Sequence, residues 1–310
     1  MYAYFTLRPE LYFDMVADVQ PTNQSMPGAA VVFYIMADMA VASTALNQSV
    51  DVDAVALSDS VVTVTLAEFG NVAKTTAKMR GVSYIPLDPA VVNVVAFNAG
   101  ISIDTVARDV LKAGSNVTYV GSQPVTPGRT TITPLDNFGY TATATTFSGA
   151  TATRKAVAKL RGANVPTING MYAGWIHPDV SYDFRGASGA ANWRDPHTYS
   201  QPEGIWNGEI GAFEGVRYVE TPRAPIFADA GSSTTLTDIY RTMICGRQAL
   251  AKAWSIVDGN GPTPRVFPTP IVDNLRRFHG YAWYWLGQYG IFRQEALQAI
   301  ESASSIGTNS

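Results

Sequence analysis

Two β-rich runs separated by a long polar interval constrain this chain more than any other feature. Ala29 to Met36 is apolar, with β-branched and aromatic residues, and in Ser60 to Leu66 the residues Val62, Val64 and Leu66 alternate with Val61, Thr63 and Thr65. Such runs predict strands that pair as a long hairpin. Asp38 to Asp59 is rich in polar residues, carries the acidic tip Asp51-Val-Asp53, and is too long for a tight turn, which predicts a projecting loop. A two-stranded ribbon is marginal in water and leaves apolar faces bare. It needs a covering surface, and another subunit can supply one.

Residues 1–27 hold Pro9, Pro21 and Pro27 among aromatic and amide side chains. That mixture predicts an extended arm with at most a short helix around Pro9 to Val19. Asp88 and Pro89 form a good helix start and Gly114 a stop. Between them Val92, Val95, Ala99, Ile103, Val106 and Val110 share one face, and Asp104 and Arg108 fall at i,i+4 spacing on another. Gly100 weakens the middle of this long helix by about 1 kcal/mol relative to alanine.

Ser115 to Gly149 is rich in Thr, Gly and Pro and predicts surface loops with short strands. Thr151 is placed to cap a second helix that turns Ala156, Val157 and Leu160 inward and Lys155, Lys159 and Arg161 to solvent, ending at Gly162. Met171 to Ile176 predicts a buried strand, and His177-Pro178-Asp179 a turn into a brief helix. In Trp206 to Pro222, glycines at 208, 211 and 215 permit tight turns ahead of a strand-like alternation from Val216 to Glu220.

Asp238 to Cys245 and Leu250 to Ile256 are compatible with strands, although Arg247 to Trp254 also suits a helix. Tyr281 to Phe292 is aromatic and punctuated by glycine, and Gln294 to Ser302 predicts a short amphipathic helix on Ala296, Leu297 and Ile300. Nothing repeats at a fixed period and strands do not alternate regularly with helices, which leaves an α+β architecture.

Charged residues make up 15% of the 310, against about 25% in ordinary soluble domains. So few charges suit a chain that hides surface against partners. The net charge of −3 and the absence of a polybasic arm argue against direct DNA readout. One cysteine, Cys245, permits neither an intrachain disulfide nor a cysteine metal cluster. The N-terminus lacks a signal-peptide pattern, and the apolar run from Gly28 to Ala37 falls far short of the roughly 20 residues that span a bilayer.

His177, His197 and His279 show no metal-ligand spacing, and His177-Pro-Asp179 reads as a strand-ending turn. Asp51 and Asp53 lack the glycine and terminal glutamate of a calcium loop. The glycines and serines match neither a phosphate-binding loop nor a nucleophile elbow. The six tryptophans are dispersed and read as core or interface anchors. Cys245 reads as a small buried hydrophobe. The alternatives are a hydrolase pairing Cys245 with a distant histidine, and a β-rich ligand-binding module. No catalytic, cofactor-binding or metal-binding residue is expected.

Taken in order, Val50 to Gly70 (VDVDAVALSDSVVTVTLAEFG), Ala158 to Asn164 (AKLRGAN), Ile176 to Asp179 (IHPD), Trp206 to Gly215 (WNGEIGAFEG) and Ile300 to Ser304 (IESAS) resemble the major capsid proteins of tailed phages related to phage N4. The resemblance implies an HK97-like capsid fold, with residues 1–27 as N-terminal arm and 28–80 as extended E-loop. It also implies a peripheral domain with spine helix and an insertion over 81–150, an axial domain over 151–262, and a return to the peripheral domain over 263–310.

The implied function is that of a non-enzymatic major capsid protein, self-assembling as hexamers and pentamers into an icosahedral shell around double-stranded DNA. Contacts between copies are expected at Tyr4, Phe5, Leu7, Tyr12, Asp51, Asp53, Trp206, Glu209 and Phe213, with no cofactor. Implied partners are other copies of the chain, portal, scaffold and decoration proteins, and packaged DNA held without sequence-specific contact. The implied location is the virion, after assembly in the host cytoplasm, with no membrane partner.

Overall fold

Seen in a computed structural model, the described residues are 12–18, 30–37, 39, 41–43, 45, 48–49, 51, 54–83, 87–122, 128–139, 146–147, 149–186, 209–232, 236–255, 261–271 and 273–306. A 3-10 turn at Phe13–Val16 leads into β1 (Ala17–Asp18), then β2 (Ala30–Met36), β3 (Asp59–Thr65), β4 (Ala67–Thr76), α1 (Ala77–Val82) and the long α2 (Leu87–Lys112). Short strands β5 (Val117–Tyr119), β6 (Gly121–Ser122) and β7 (Thr146–Phe147) precede α3 (Gly149–Gly162), β8 (Tyr172–Ile176) and α4 (Pro178–Gly186). The remainder is β9 (Glu209–Phe213), β10 (Val216–Glu220), β11 (Ile226–Phe227), β12 (Ile239–Cys245), β13 (Leu250–Trp254), β14 (Arg265–Pro268), β15 (Phe278–Ile291) and β16 (Leu297–Ser302).

The expected hairpin forms, with β2 and β3 antiparallel from Ala30 opposite Thr65 to Met36 opposite Asp59. β4, which hydrophobic alternation does not reveal, runs antiparallel along one edge of β15. Gly70 permits the approach, because a Cβ there would lie 2.9 Å from the Trp283 carbonyl oxygen. The other edge of β15 is shared end to end by β14 and β13, and β1 lies parallel to β13. The strand at Leu250–Trp254 excludes the helical reading of that segment.

α2 lies on this first sheet, where Trp283 Nε1 donates to Asn98 Oδ1 at 2.9 Å. Val95, Ala99, Ile103, Ala107 and Leu111 are buried, as a helical stripe requires. The expected pairing of Asp104 with Arg108 does not form. Asp104 is one helical turn from Ala107 and two from Leu111, so it falls on the buried stripe, and Arg108 bonds instead to Asp109 at 2.8 Å. By length and composition alone α2 could cross a membrane; in this fold its buried stripe, Asp104 included, faces protein.

A second sheet has the order β5-β16-β12-β8-β10-β9, with β11 also on β12. The segment expected to be a helix over Gln294 to Ser302 is instead one 3-10 turn followed by β16. β16 is buried throughout, antiparallel to β12 and parallel to β5. Ladder pairing on both edges and burial of both faces override a short pattern that fits a helix equally well. α3 begins at Gly149, two residues before the expected cap, so Thr151 lies inside the helix. Ala156, Val157 and Leu160 are buried as expected.

Glu214 and Gly215 join β9 to β10 in a two-residue turn with φ of 52° and 84°, the left-handed pair that a tight hairpin needs. One continuous core joins α2, α3 and α4 to both sheets. The sheets cut across the expected boundaries, since β13 pairs with β15 whereas β16 joins β12 and β5.

Candidate assembly surfaces

The hairpin has a buried foot and a bare end. Val31, Phe33 and Val64 pack on Ala251 and Ala253, with Phe292 alongside. Farther out Met36, Val41 and Leu57 are 83%, 90% and 72% exposed. Covering a large apolar side chain stabilises by about 1.5–3 kcal/mol, so this strip favours contact with another surface.

The root of the N-terminal segment is held by charge. Phe13 is buried with its ring 5.4 Å from that of Trp175, and its backbone N–H donates to Asp104 Oδ1 at 2.9 Å. Lys252 Nζ donates to both Asp14 oxygens at 2.8 Å, and the Tyr289 hydroxyl donates to Asp14 Oδ1 at 2.6 Å. Arg223 Nη1 lies 3.1 Å from Asp104 Oδ2. Burial pushes Asp104 up despite the Phe13 N–H and Arg223, and burial likewise pushes Arg223 down. Desolvation thus outweighs the mutual attraction of this pair.

A second network closes the end of α2. Arg241 donates to the carbonyl oxygens of Lys112 and Gly114, supplying partners for helix-end groups that lack intrahelical ones. Glu301, fully buried, accepts two bonds from Arg129 at 2.8 and 2.7 Å and lies 3.6 Å from Arg241.

The turn after β8 ties the C-terminal segment to α4. Tyr240 donates to Asp179 Oδ2 at 2.8 Å, the Ser304 hydroxyl donates to the Asp179 carbonyl at 3.1 Å, and Ser305 donates through both its backbone N–H and its hydroxyl to Asp183. His177 Nδ1 is 3.3 Å from Asp179 Oδ2, and its ring packs on Tyr240. Burial pushes His177 down, with Asp179 and Glu220 pulling it up. The structural reading of His177-Pro-Asp179 as a turn holds.

Among the described residues no group of His, Cys, Asp and Glu could hold a metal ion. Cys245 is fully buried in β12, and burial pushes its thiol up, opposite to what a nucleophile needs. The hydrolase reading fails on that point.

Of the residues expected at contacts between copies, Tyr4, Phe5, Leu7, Asp53 and Trp206 lie outside the described residues. Tyr12 is half-buried against the core, Asp51 is exposed, and Glu209 opens β9 opposite Val219. Phe213 corrects the expectation. It is 2% exposed and stacks edge-on with Phe184, because strand alternation turns it into the subunit's own core. The charged anchors Asp14, Asp104, Lys252, Arg241 and Glu301 carry no local sequence signal, since their partners are remote in the chain.

A hairpin with a buried foot and an exposed apolar end is the kind of surface by which a protein assembles. The chain belongs to the phage capsid protein family, whose model matches residues 12–300. It is a structural, non-enzymatic major capsid protein with the HK97-like fold.

Its structure is similar to the capsid of Ralstonia phage GP4, with TM-score 0.72 and 15% identity over 98% of this chain and 93% of that one. The capsid of cyanophage P-SCSP1u gives 0.69 and 11% over 98% and 91%. The head of Helicobacter pylori bacteriophage KHP40 gives 0.67 and 11% over 97% and 94%. No curated protein sequence matches.

Proposed function

We propose that copies of this chain form hexamers and pentamers that close into an icosahedral shell around double-stranded DNA, as in phages related to N4. In this reading β2, β3 and the loop between them are the E-loop and lie on a neighbouring subunit. The segment before Tyr12 is the arm, and its root is locked by Asp14 and Asp104. The first sheet with α2 forms the peripheral domain, and the second sheet with α3 and α4 forms the axial domain. Scaffold, portal and decoration proteins are further partners, and assembly takes place in the host cytoplasm.

The observation that carries this reading is the exposure of Met36, Val41 and Leu57 at the far end of a hairpin whose foot is buried. Many modest contacts per subunit become effectively permanent through high effective concentration. Deleting residues 38–59 tests it, because that loop adds little to the core. The shortened chain is expected to keep its fold by circular dichroism and to yield no closed shells by electron microscopy alongside a shell-forming parent. Normal shells from the shortened chain would sink the assignment.

A further inference from the structure

Charge is segregated along this chain in a way that an isolated subunit does not require. From residue 9 to residue 73 there is no Lys or Arg, and eight acidic residues fall in that stretch. From residue 137 to residue 178 there is no Asp or Glu, and the four cations there, Arg154, Lys155, Lys159 and Arg161, all lie on α3. Lys155 and Lys159 stand one helical turn apart, a like-charge spacing that disfavours an isolated helix. Lys159 is exposed and Lys155 half-buried, whereas Arg161 falls on the opposite flank, its guanidinium beside Gly215 of the β9–β10 turn. At the other pole Asp51 and Asp59, in and beside the loop that ends the hairpin, are exposed as well.

The fold keeps these poles on different structural bases. The hairpin foot packs on β13 of the first sheet, through Ala251 and Ala253. α3 packs beside the second sheet, with Leu160 in the main core and Arg154 bonded to Glu214 of the β9–β10 turn at 2.8 Å. A chain that assembles with copies of itself, and that carries a cation-free projection and an acid-free helix face, has complementary surfaces that different copies can join.

We infer that the cationic flank of α3, at Lys155 and Lys159, docks the acidic end of a neighbouring copy's hairpin, at Asp51 and Asp59. The inference rests on the shell-forming reading and names the partner surface for the hairpin end. Its contribution is mainly to specificity and register, because opposite charges steer the encounter and like charges in the same place reject it. The apolar strip at Met36, Val41 and Leu57 supplies the burial.

Charge reversal and rescue test this pairing in the full-length chain, expressed with the other assembly proteins of its phage. Lys155→Glu with Lys159→Glu, and separately Asp51→Lys with Asp59→Lys, are each expected to lower the yield of closed particles by about tenfold, as expected for like-charge juxtaposition. All four substitutions together are expected to restore most of it. Thermal melting of the subunits controls for folding.

Failure of the combined variant to recover, with both halves impaired and folded, would overturn the pairing. Normal particle yield from the α3 reversal with a loss of packaged DNA would overturn it too, assigning that face to the genome. Absence of particles from the unaltered chain would instead refute the shell-forming reading, and the pairing with it.

Discussion

Lys252 Nζ sits 2.8 Å from both carboxylate oxygens of Asp14, joining the start of the described chain to β13 across 238 positions. Lys252 is 5% exposed in its side chain and Asp14 is 45% exposed, so the cation depends on the pair more than the carboxylate does.

Removing the carboxylate is therefore expected to cost more than removing both groups. Asp14→Ala removes the carboxylate that the buried Lys252 ammonium and the Tyr289 hydroxyl share. Breaking a fully buried pair costs about 3–5 kcal/mol, and the exposure of Asp14 reduces the expectation to about 2 kcal/mol. Asp14→Ala combined with Lys252→Met is expected to recover at least half of this in denaturant unfolding. Equal loss in both variants would refute the asymmetry.

Phe33 pins the hairpin foot, with its ring 5.7 Å from that of Phe292. Phe33→Ala removes a fully buried ring, at a cost of about 3–5 kcal/mol. Because its cluster is separate from the main core, the loss is expected to be local. Amide exchange should accelerate in β2 and β3 and stay slow in β12 and β16. Uniform acceleration would show that the hairpin is integral to global stability.

His177 makes stability depend on pH. Its folded-state value is pushed below the ordinary 6.5, mainly by burial, so the folded protein favours the neutral ring. That contribution is fully present above 6.5 and is lost as pH falls through the lower folded-state value. His177→Gln is expected to remove this slope. Unfolding free energies for parent and variant measured from about pH 7 to about pH 5 should converge on acidification; parallel curves would exclude a role for His177.

Cys245 is expected to be inert in the folded chain. A thiol-alkylating reagent should add no mass to native protein and one adduct after unfolding, because the thiol is fully buried and burial disfavours thiolate. Rapid native labelling would contradict the buried position in β12.

Elements whose pattern is local were legible in the residues. A β-branched and aromatic run revealed β2, alternation revealed β3, Asp88-Pro89 with a distant glycine revealed α2, and the glycine-bearing turn before Val216 marked the β9–β10 hairpin. Of the residues expected at contacts, Asp51 is exposed as such a role requires, whereas Phe213 is buried, since alternation marks two faces without saying which one a layer covers. The same limit hides β4, whose ten residues are ordered by ladder pairing with β15 and not by a hydrophobic rhythm of their own.

Residues 297–302 mark where local pattern stops. Leu297 and Ile300 suit a helix and a strand alike over so short a run, and Glu301 looks like a solvent-facing side chain. β12 and β5 take up the backbone hydrogen bonds on either edge, and Arg129, 172 positions away, neutralises the buried carboxylate together with Arg241. Low charge content, the β2–β3 hairpin and the long helix were written in the residues, because each depends on composition or on neighbours a few positions apart. Strand identity at β16, the register of β4 and the pairing of Asp14 and Asp104 belong to tertiary structure, because ladder bonds and buried charges are settled by groups that only folding brings together.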